Sequence, residues 1–343
     1  MTFAPAPEYT PFPTSERPLQ PYVAAERAAR EMDRLLEEFA PDAVIHDVLT
    51  IAPALAAEVR GIRVGTLIPH LYPAPAPGLP PFSLGARIPR TGVGRAFWRA
   101  LEPLTARGWE LGRAQLNDTR RRLGLAPVEE LFGTLSRELS LVATFPQLEY
   151  PRAWGAGVHV VGPLLWAPPV AADTPLPPGE GPLVVIAPST SQDPQQTLLR
   201  AALAACSRLG VRALAVAPRG VDVDVPGGAV LVEWMSYADT LPHADVVVMH
   251  GGSGTLGWAL AHGCVPLIVP AAGDMAENGA RVDWAGVGVR VPRRLCSAGA
   301  LSLAIERALT DPARARRASE LATWLAARDP ADDAAALVEN FVR

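Results

Sequence analysis

Short apolar runs alternate along this chain with longer segments whose apolar positions recur every three to four residues. The alternation is clearest after position 182. There LVVIAPS (183–189), RALAVA (212–217), AVLVEW (229–234), DVVVMH (245–250), VPLIVP (265–270) and VGVRVP (287–292) read as strands. Continuous apolar runs of this length suit strands covered on both faces. Helices are predicted at 195–208, 253–262, 276–285 and 299–309, with terminal helices from 312. In the first half, strands are predicted at DAVIHD (42–47), RVGTLI (63–68), LSLVATF (139–145) and HVVG (159–162), and helices at 51–60 and 94–124. In YVAAERAAREMDRLLEEFA, the residues Ala24, Ala28, Met32, Leu35 and Leu36 place an apolar face on one further helix. Strand–helix alternation predicts an α/β protein with parallel sheets and helical crossovers.

Proline punctuates the pattern. The strongest breaks among the 36 prolines are PAPAPGLPPF (73–82) and PLLWAPPVAADTPLPPGEGP (163–182). The second divides the chain into a unit over 1–165, a linker over 166–182 and a doubly wound unit over 183–325, followed by a terminal stretch over 326–343. No internal repeat of fixed period is present.

Composition narrows the chemistry. A chain of 343 residues, 49% apolar and 19% charged, holds about two domains with sizeable cores. The net charge of −4 argues against a general nucleic-acid binder. All 31 basic residues are arginine, so a Walker lysine, a Schiff-base lysine and a lysine base are excluded. Cys206, Cys264 and Cys296 are widely spaced and odd in number, which predicts free thiols in a reducing compartment. No stretch of 18 uninterrupted apolar residues and no signal-peptide pattern occurs, so a soluble cytoplasmic protein is expected. DVD at 222–224 lies in a Gly/Pro-flanked loop and reads as solvated. No metal-ligand spacing and no G-x-S-x-G elbow is present. RRR at 120–122 and the arginines near 313–317 read as solvated helix faces.

One stretch concentrates candidate chemistry. In VVVMHGGSGTLGWAL (246–260) a strand ends at His250, turns through glycines and re-emerges as a helix. Gly251, Gly252 and Gly254 permit a tight turn whose backbone amides, at the positive end of a helix, can reach an anion. Ser253 and Thr255 add hydroxyls, and His250 an imidazole. Gly252, Gly254 and Gly257 also satisfy G-x-G-x-x-G. A dinucleotide site would need an acid at the end of the next strand, whereas Asp274 lies beyond PLIVP and a further loop. The motif also falls on the fourth strand of its unit, where a dinucleotide fingerprint opens one.

Extended to HGGSGTLGWALAHGCVPLIVPAAGDMAENGARVDWAGVGVRVP (250–292), the stretch resembles the donor-binding signature of family 1 nucleotide-sugar glycosyltransferases of the GT-B fold. VEWMSYADTLPHADVVV (232–248) and LVVIAPSTS (183–191) resemble the flanking parts of that family. PDAVIHDVLTIAPALAAEVRGIRVGTLIPHLYP (41–73) resembles the acceptor domain of its actinobacterial natural-product branch. The resemblance implies two Rossmann-like domains, the first binding the acceptor and the second the nucleotide sugar, with the 326–343 helix packing back on the first. It implies that His250 and the amides of Gly252, Ser253 and Gly254 hold a diphosphate, with Thr255 on the distal phosphate. Trp234 would stack on the base and the Met235 backbone bond its edge. Ser189, Thr190 and Ser191 would approach the phosphates, Asp274 the sugar hydroxyls, and Asn278 would fix the loop. Asp274 as a helix cap, Trp234 as a core aromatic and the Ser-Thr-Ser run as a capping cluster remain open readings.

No cofactor is implied: the dTDP- or UDP-type nucleotide sugar is a substrate, and the other partner is a small apolar acceptor. Among protein partners a homodimer is left open. The family commonly has Gln where Met275 stands, which points to a donor with fewer hydroxyls, a deoxysugar. The family also opens with strands and a Gly-rich loop whose His deprotonates the acceptor, and these have no counterpart here. The first sheet is therefore expected to be incomplete, with an exposed edge at DAVIHD. Asp47 matches the aspartate that orients that His and is the candidate base; His46 and His70 read as structural. An internal Met as start, a noncatalytic nucleotide-sugar-binding or accessory protein, and a short enzyme using Asp47 all fit this pattern. Inverting sugar transfer is the leading reading, and an epimerase of the same fold lacks acids and bases in the sequence.

Overall fold

The structure is a computed structural model that describes residues 20–129, 135–168, 174–189, 193, 195–271 and 273–343, with the backbone alone for 20–24. Its first unit contains α1 (Gln20–Phe39), β1 (Ala43–Asp47), α2 (Ala52–Val59), β2 (Arg63–Ile68), α3 (Gly92–Arg122), β3 (Ser140–Val142) and β4 (Val158–Val160). The second begins with β5 (Leu183–Ala187), α4 (Thr197–Leu209), β6 (Arg212–Val216), β7 (Ala229–Val232), α5 (Tyr237–Thr240) and β8 (Val246–Met249). It continues through α6 (Ser253–Ala261), β9 (Val265–Ile268), α7 (Asp274–Ala285), β10 (Val289–Arg290), α8 (Ala298–Thr310), α9 (Pro312–Ala326) and α10 (Pro330–Val342).

All strand pairs are parallel. The second sheet has the order β10-β9-β8-β5-β6-β7. Every residue of β5, β8 and β9 is buried, as expected of central strands sandwiched between helical layers. Strand order reverses between β5 and β8, and the crevice outside the carboxyl ends at such a reversal is where these sheets take ligands. The first sheet has the order β1-β2-β3-β4 and runs in one direction only, with β1 at its edge. It amounts to one half of a doubly wound sheet.

The apolar face of α1 differs from the expected one. Ala25, Ala29 and Leu36 are buried and Met32 packs beside them, whereas Ala28 and Leu35 are exposed. Ala25, Ala29, Met32 and Leu36 follow i, i+4, i+7, i+11, which keeps one face over three turns. Ala24 lies among the residues whose side chains are not described. A second difference concerns Arg120. It is buried, pairs with Glu58 at 2.7 Å and donates from Nε to the Ala126 carbonyl at 2.7 Å, closing the turn after α3. Arg121 and Arg122 are exposed. Arg314 is also held, paired with Asp311 at 3.0 Å and donating to the Gly288 carbonyl.

The two units share packing. Leu71, Phe145 and Leu148 of the first belong to the same core cluster as the second sheet. Leu165 and Pro163 pack over Gly257, 3.0 and 3.5 Å from where a Cβ there would stand. Helix α10 lies on the first sheet, with Ala334 and Phe341 packed among Leu139, Leu141 and Val161. Asp311 and Asp329 cap α9 and α10, each followed by proline at the first helical position. Among the described residues, no helix is long and apolar enough to cross a membrane, and no group of three or more His, Cys, Asp or Glu is placed to hold a metal ion.

Candidate functional site

The β8–α6 turn sits at the strand-order reversal. Gly251 has φ +98°, and a Cβ there would meet Ile268 Cγ2 at 2.9 Å and the Met275 carbonyl oxygen at 3.0 Å. Only glycine fits both the conformation and the space. A Cβ on Gly252, the N-cap of α6, would fall 2.7 Å from His250 Nε2, so the imidazole edge lies directly over the start of this helix. Gly254, by contrast, faces open space. The amides of Ser253, Gly254 and Thr255 precede the first intrahelical bond, Leu256 N–H to the Gly252 carbonyl at 3.0 Å, and are the unpaired donors of a helix start.

Asn278 braces the turn. It is 2% exposed, and its Nδ2 donates to the Gly251 carbonyl at 2.8 Å and to Ser253 Oγ at 3.1 Å. His250 Nδ1 lies 3.3 Å from the Ala187 carbonyl at the end of β5, bridging the reversal. Burial pushes the His250 pKa below its ordinary value, against the opposing pull of that carbonyl and of Asp274. Thr255 Oγ1 and the Tyr237 hydroxyl are 3.4 Å apart.

The residues expected to face a sugar lie at the adjoining segment. Asp274 is the first residue of α7, and the N-cap position is held by Gly273. Its carboxylate therefore sits at the positive end of α7 and is not the N-cap. Met275 follows it and reaches back to Gly251. Trp234 lies just past β7 and is 46% exposed, so the core-aromatic reading does not describe it. Met235 is buried in the core. Ser189 is buried next to the end of β5, whereas Thr190 and Ser191 lie outside the described residues.

Asp47 stands apart from this group. It ends the edge strand β1 and accepts the Leu49 N–H at 2.8 Å. Among the described residues, no hydrogen bond or ion pair joins it to the β8–α6 turn. The His46 ring is buried between Thr66 Oγ1 at 2.9 Å and the Asp47 carbonyl at 2.8 Å. His70 stacks on Phe82 with centroids 5.6 Å apart and its Nδ1 lies 2.7 Å from the Leu71 carbonyl.

Several residues near the site carried no recognisable signal in the sequence. A small cavity of about 10 Å³ beside His250 is lined by Asp193, Thr197, Leu198, Val269, Arg293 and Cys296. Asp193 accepts from the Thr197 and Leu198 amides at 3.1 and 2.9 Å and lies 3.6 Å from Arg293. The Pro-rich 69–90 loop also reaches the second unit. Gly85 accepts from Arg290, Arg87 pairs with Asp283 at 2.9 Å, and Phe82 packs on the core. These contacts join residues far apart in the chain, which local patterns do not report.

The turn and the imidazole form an arrangement fit for an anion, with the Asp274–Met275 segment at its rim. The chain is similar to 4'-demethylrebeccamycin synthase of Lentzea aerocolonigenes, at 31% identity over 90% of this chain and 76% of that protein. It belongs to the family 1 glycosyltransferases. Residues 211–340 of this glycosyltransferase also match the family described as erythromycin biosynthesis protein CIII-like, C-terminal domain. A second relative, the O-mycaminosyltylonolide 6-deoxyallosyltransferase of Streptomyces fradiae, is 31% identical over 71% of this chain, which spans 59% of that protein. Among solved structures, the glycosyltransferase superposes on the glycotransferase of kitacinnamycin with TM-score 0.73 at 20% identity, covering 94% of this chain and 81% of the other. The shared fold is GT-B, and among the described residues the first domain is the smaller one, with four strands.

Proposed function

We propose that this glycosyltransferase moves a sugar from a dTDP- or UDP-type donor to a hydroxyl of a small apolar acceptor, with inversion at the anomeric carbon. The observation that carries the reading is the braced turn at the β5/β8 reversal, where His250 and the amides of Gly252 to Thr255 converge. When the anomeric carbon–oxygen bond breaks, its electron pair goes to the departing diphosphate. A helix terminus and an imidazole stabilise that charge without a lysine. The acceptor oxygen attacks from the opposite face and gives up its proton to a base, for which Asp47 is the candidate, and this gives inversion. Trp234 stacks on the base, Asp274 holds sugar hydroxyls, and Met275 lines the part of the sugar that lacks them. The deoxysugar name of the Streptomyces fradiae relative supports a deoxysugar donor.

Calorimetry with dTDP and UDP tests the site. Binding that is lost in His250→Ala and Trp234→Ala supports it, and full affinity in both variants refutes it. A competition assay tests the sugar: equal use of deoxy and fully hydroxylated donors refutes the role of Met275.

A second reading has its own support. Asp47 is engaged by its own loop, and His46 and His70 are each committed to neighbouring groups. A noncatalytic nucleotide-sugar-binding or accessory protein would show this arrangement. Turnover by the chain alone that is abolished in Asp47→Asn favours the enzyme; donor binding with no turnover favours the accessory role.

A further inference from the structure

The His250 ring is oriented so that its two nitrogens face different partners. Nδ1 meets the Ala187 carbonyl. A carbonyl oxygen only accepts, so Nδ1 carries the hydrogen of that bond. In a neutral imidazole the other nitrogen then holds a bare lone pair. That nitrogen, Nε2, is the one poised over Gly252 at the start of α6. A phosphate oxygen arriving there would meet a lone pair instead of a donor. Moving the hydrogen to Nε2 would set two lone pairs against each other at Ala187. Adding a proton keeps the Ala187 bond and creates the missing donor.

We infer that His250 binds the donor diphosphate as an imidazolium, the nucleotide drawing one proton onto Nε2 as it seats. This rests on the donor-site reading above and adds the charge state in which the site works. The groups around the ring set the balance. Without nucleotide, burial opposes the charge, as does the positive start of α6, and Arg293 in the turn before α8 lines the same cavity. Asp274 at the start of α7 favours it. Asp193, ahead of α4, is engaged by the Thr197 and Leu198 amides and by Arg293. The Cys296 thiol, raised by burial, stays neutral. A diphosphate brings at least two negative charges to Nε2 and reverses the balance. The proton stays on the ring throughout transfer, so the imidazolium donates to the leaving oxygen as its charge grows.

The test is calorimetry of the full chain with UDP and with dTDP above pH 7. The terminal phosphate, with a second pKa of about 6, is then already ionised. Titrations in two buffers of different ionisation enthalpy count protons. About one proton taken up per nucleotide is expected, with affinity falling ~10-fold per pH unit between pH 7.5 and 8.5. His250→Gln, which retains an amide donor, should bind more weakly, without uptake and without pH dependence. Binding by the unaltered chain with no proton exchange and flat affinity overturns the inference, as does uptake that persists in His250→Gln. Failure of both nucleotides to bind at any pH removes the donor site itself, and the inference with it.

Discussion

Arg281 on α7 and Glu149 on the first unit meet at 3.2 Å, with side chains 5% and 3% exposed. The guanidinium also pairs with Glu277 at 2.8 Å, donates to the Leu148 carbonyl at 3.2 Å and lies 3.5 Å from the centre of the Tyr150 ring. Glu149 in turn accepts the Tyr72 amide at 2.7 Å. One buried cation thus joins both units beneath the helix that carries Asp274 and Met275. Removing one partner of such a pair strands a charge in a dry site and costs about 3–5 kcal/mol. Arg281→Met is expected to lose stability of that order in chemical denaturation. It should also raise the KM for donor, because α7 loses its anchor. A denaturation midpoint equal to that of the unaltered chain would refute the role.

Gly85, in the 69–90 loop, packs closely against the backbone of α7. Its φ is +59°, and a Cβ there would lie 2.5 Å from the Ala276 carbonyl oxygen. Both the backbone conformation and the space therefore oppose a side chain. Strain of this kind costs about 1–3 kcal/mol. Gly85→Ala is expected to push the loop off α7, weakening donor and acceptor binding together. Initial-rate kinetics with both substrates varied will show it, and unchanged KM values would sink the claim.

Asn278 offers a sharper test of the turn. Its two hydrogen bonds hold the buried Gly251 carbonyl and the half-buried Ser253 hydroxyl. Asn278→Ala leaves a buried carbonyl unsatisfied, at about 1–3 kcal/mol. Because Gly251 and Ser253 flank the N-cap of α6, nucleotide affinity should fall by at least tenfold along with stability. Asn278→Asp supplies no donor to the carbonyl and should not restore it. Calorimetry with UDP and dTDP checks both variants.

The parts of this architecture that local chemistry dictates were readable from the chain. Uninterrupted apolar runs marked β5, β8 and β9 because central parallel strands are covered on both faces. The H-G-G-S-G-T turn was readable because φ at Gly251 and the crowding at Gly252 leave few other residues. What escaped was set by partners distant in sequence. Arg120 read as solvated because nothing in RRR reports Glu58 or the Ala126 carbonyl. Arg281 and Glu149 are 132 positions apart. On α1, the true face starts one residue later than the expected one. The helix has one strongly apolar face, with Ala28 and Leu35 at its margin, and packing against α2 sets which residues turn inward.

Stability should depend on pH with a sign set by opposing groups. His250 and His262 have pKa values lowered by burial from the ordinary 6.5, so the folded chain binds those protons less firmly than the unfolded one. Their contribution is complete above 6.5 and is lost as pH falls through that value toward the lowered ones. Glu149 and Glu277 are raised, chiefly by burial, from the ordinary 4.5. Their contribution is complete below 4.5 and fades as pH rises through the raised values. His250→Asn removes one member of the first pair, so the variant's melting temperature should fall less than that of the unaltered chain as pH drops through about 6.5. Parallel pH profiles of the two proteins would show that His250 carries no such linkage.

In the proposed donor site, Trp234 would read the base apart from the groups that hold the phosphates. It lies beyond β7, at the opposite side of the sheet's carboxyl end from β9 and α7, and its exposed ring contrasts with the buried Met235 that follows it. Stacking of a base on an aromatic ring is worth about 1–3 kcal/mol. Trp234→Ala should therefore weaken UDP and dTDP by about tenfold to a hundredfold, and Trp234→Phe should recover most of that. Inorganic pyrophosphate carries no base, so its affinity should be the same in all three proteins. If pyrophosphate binding falls with Trp234→Ala as far as UDP binding does, the ring supports the fold of the site and does not read the base.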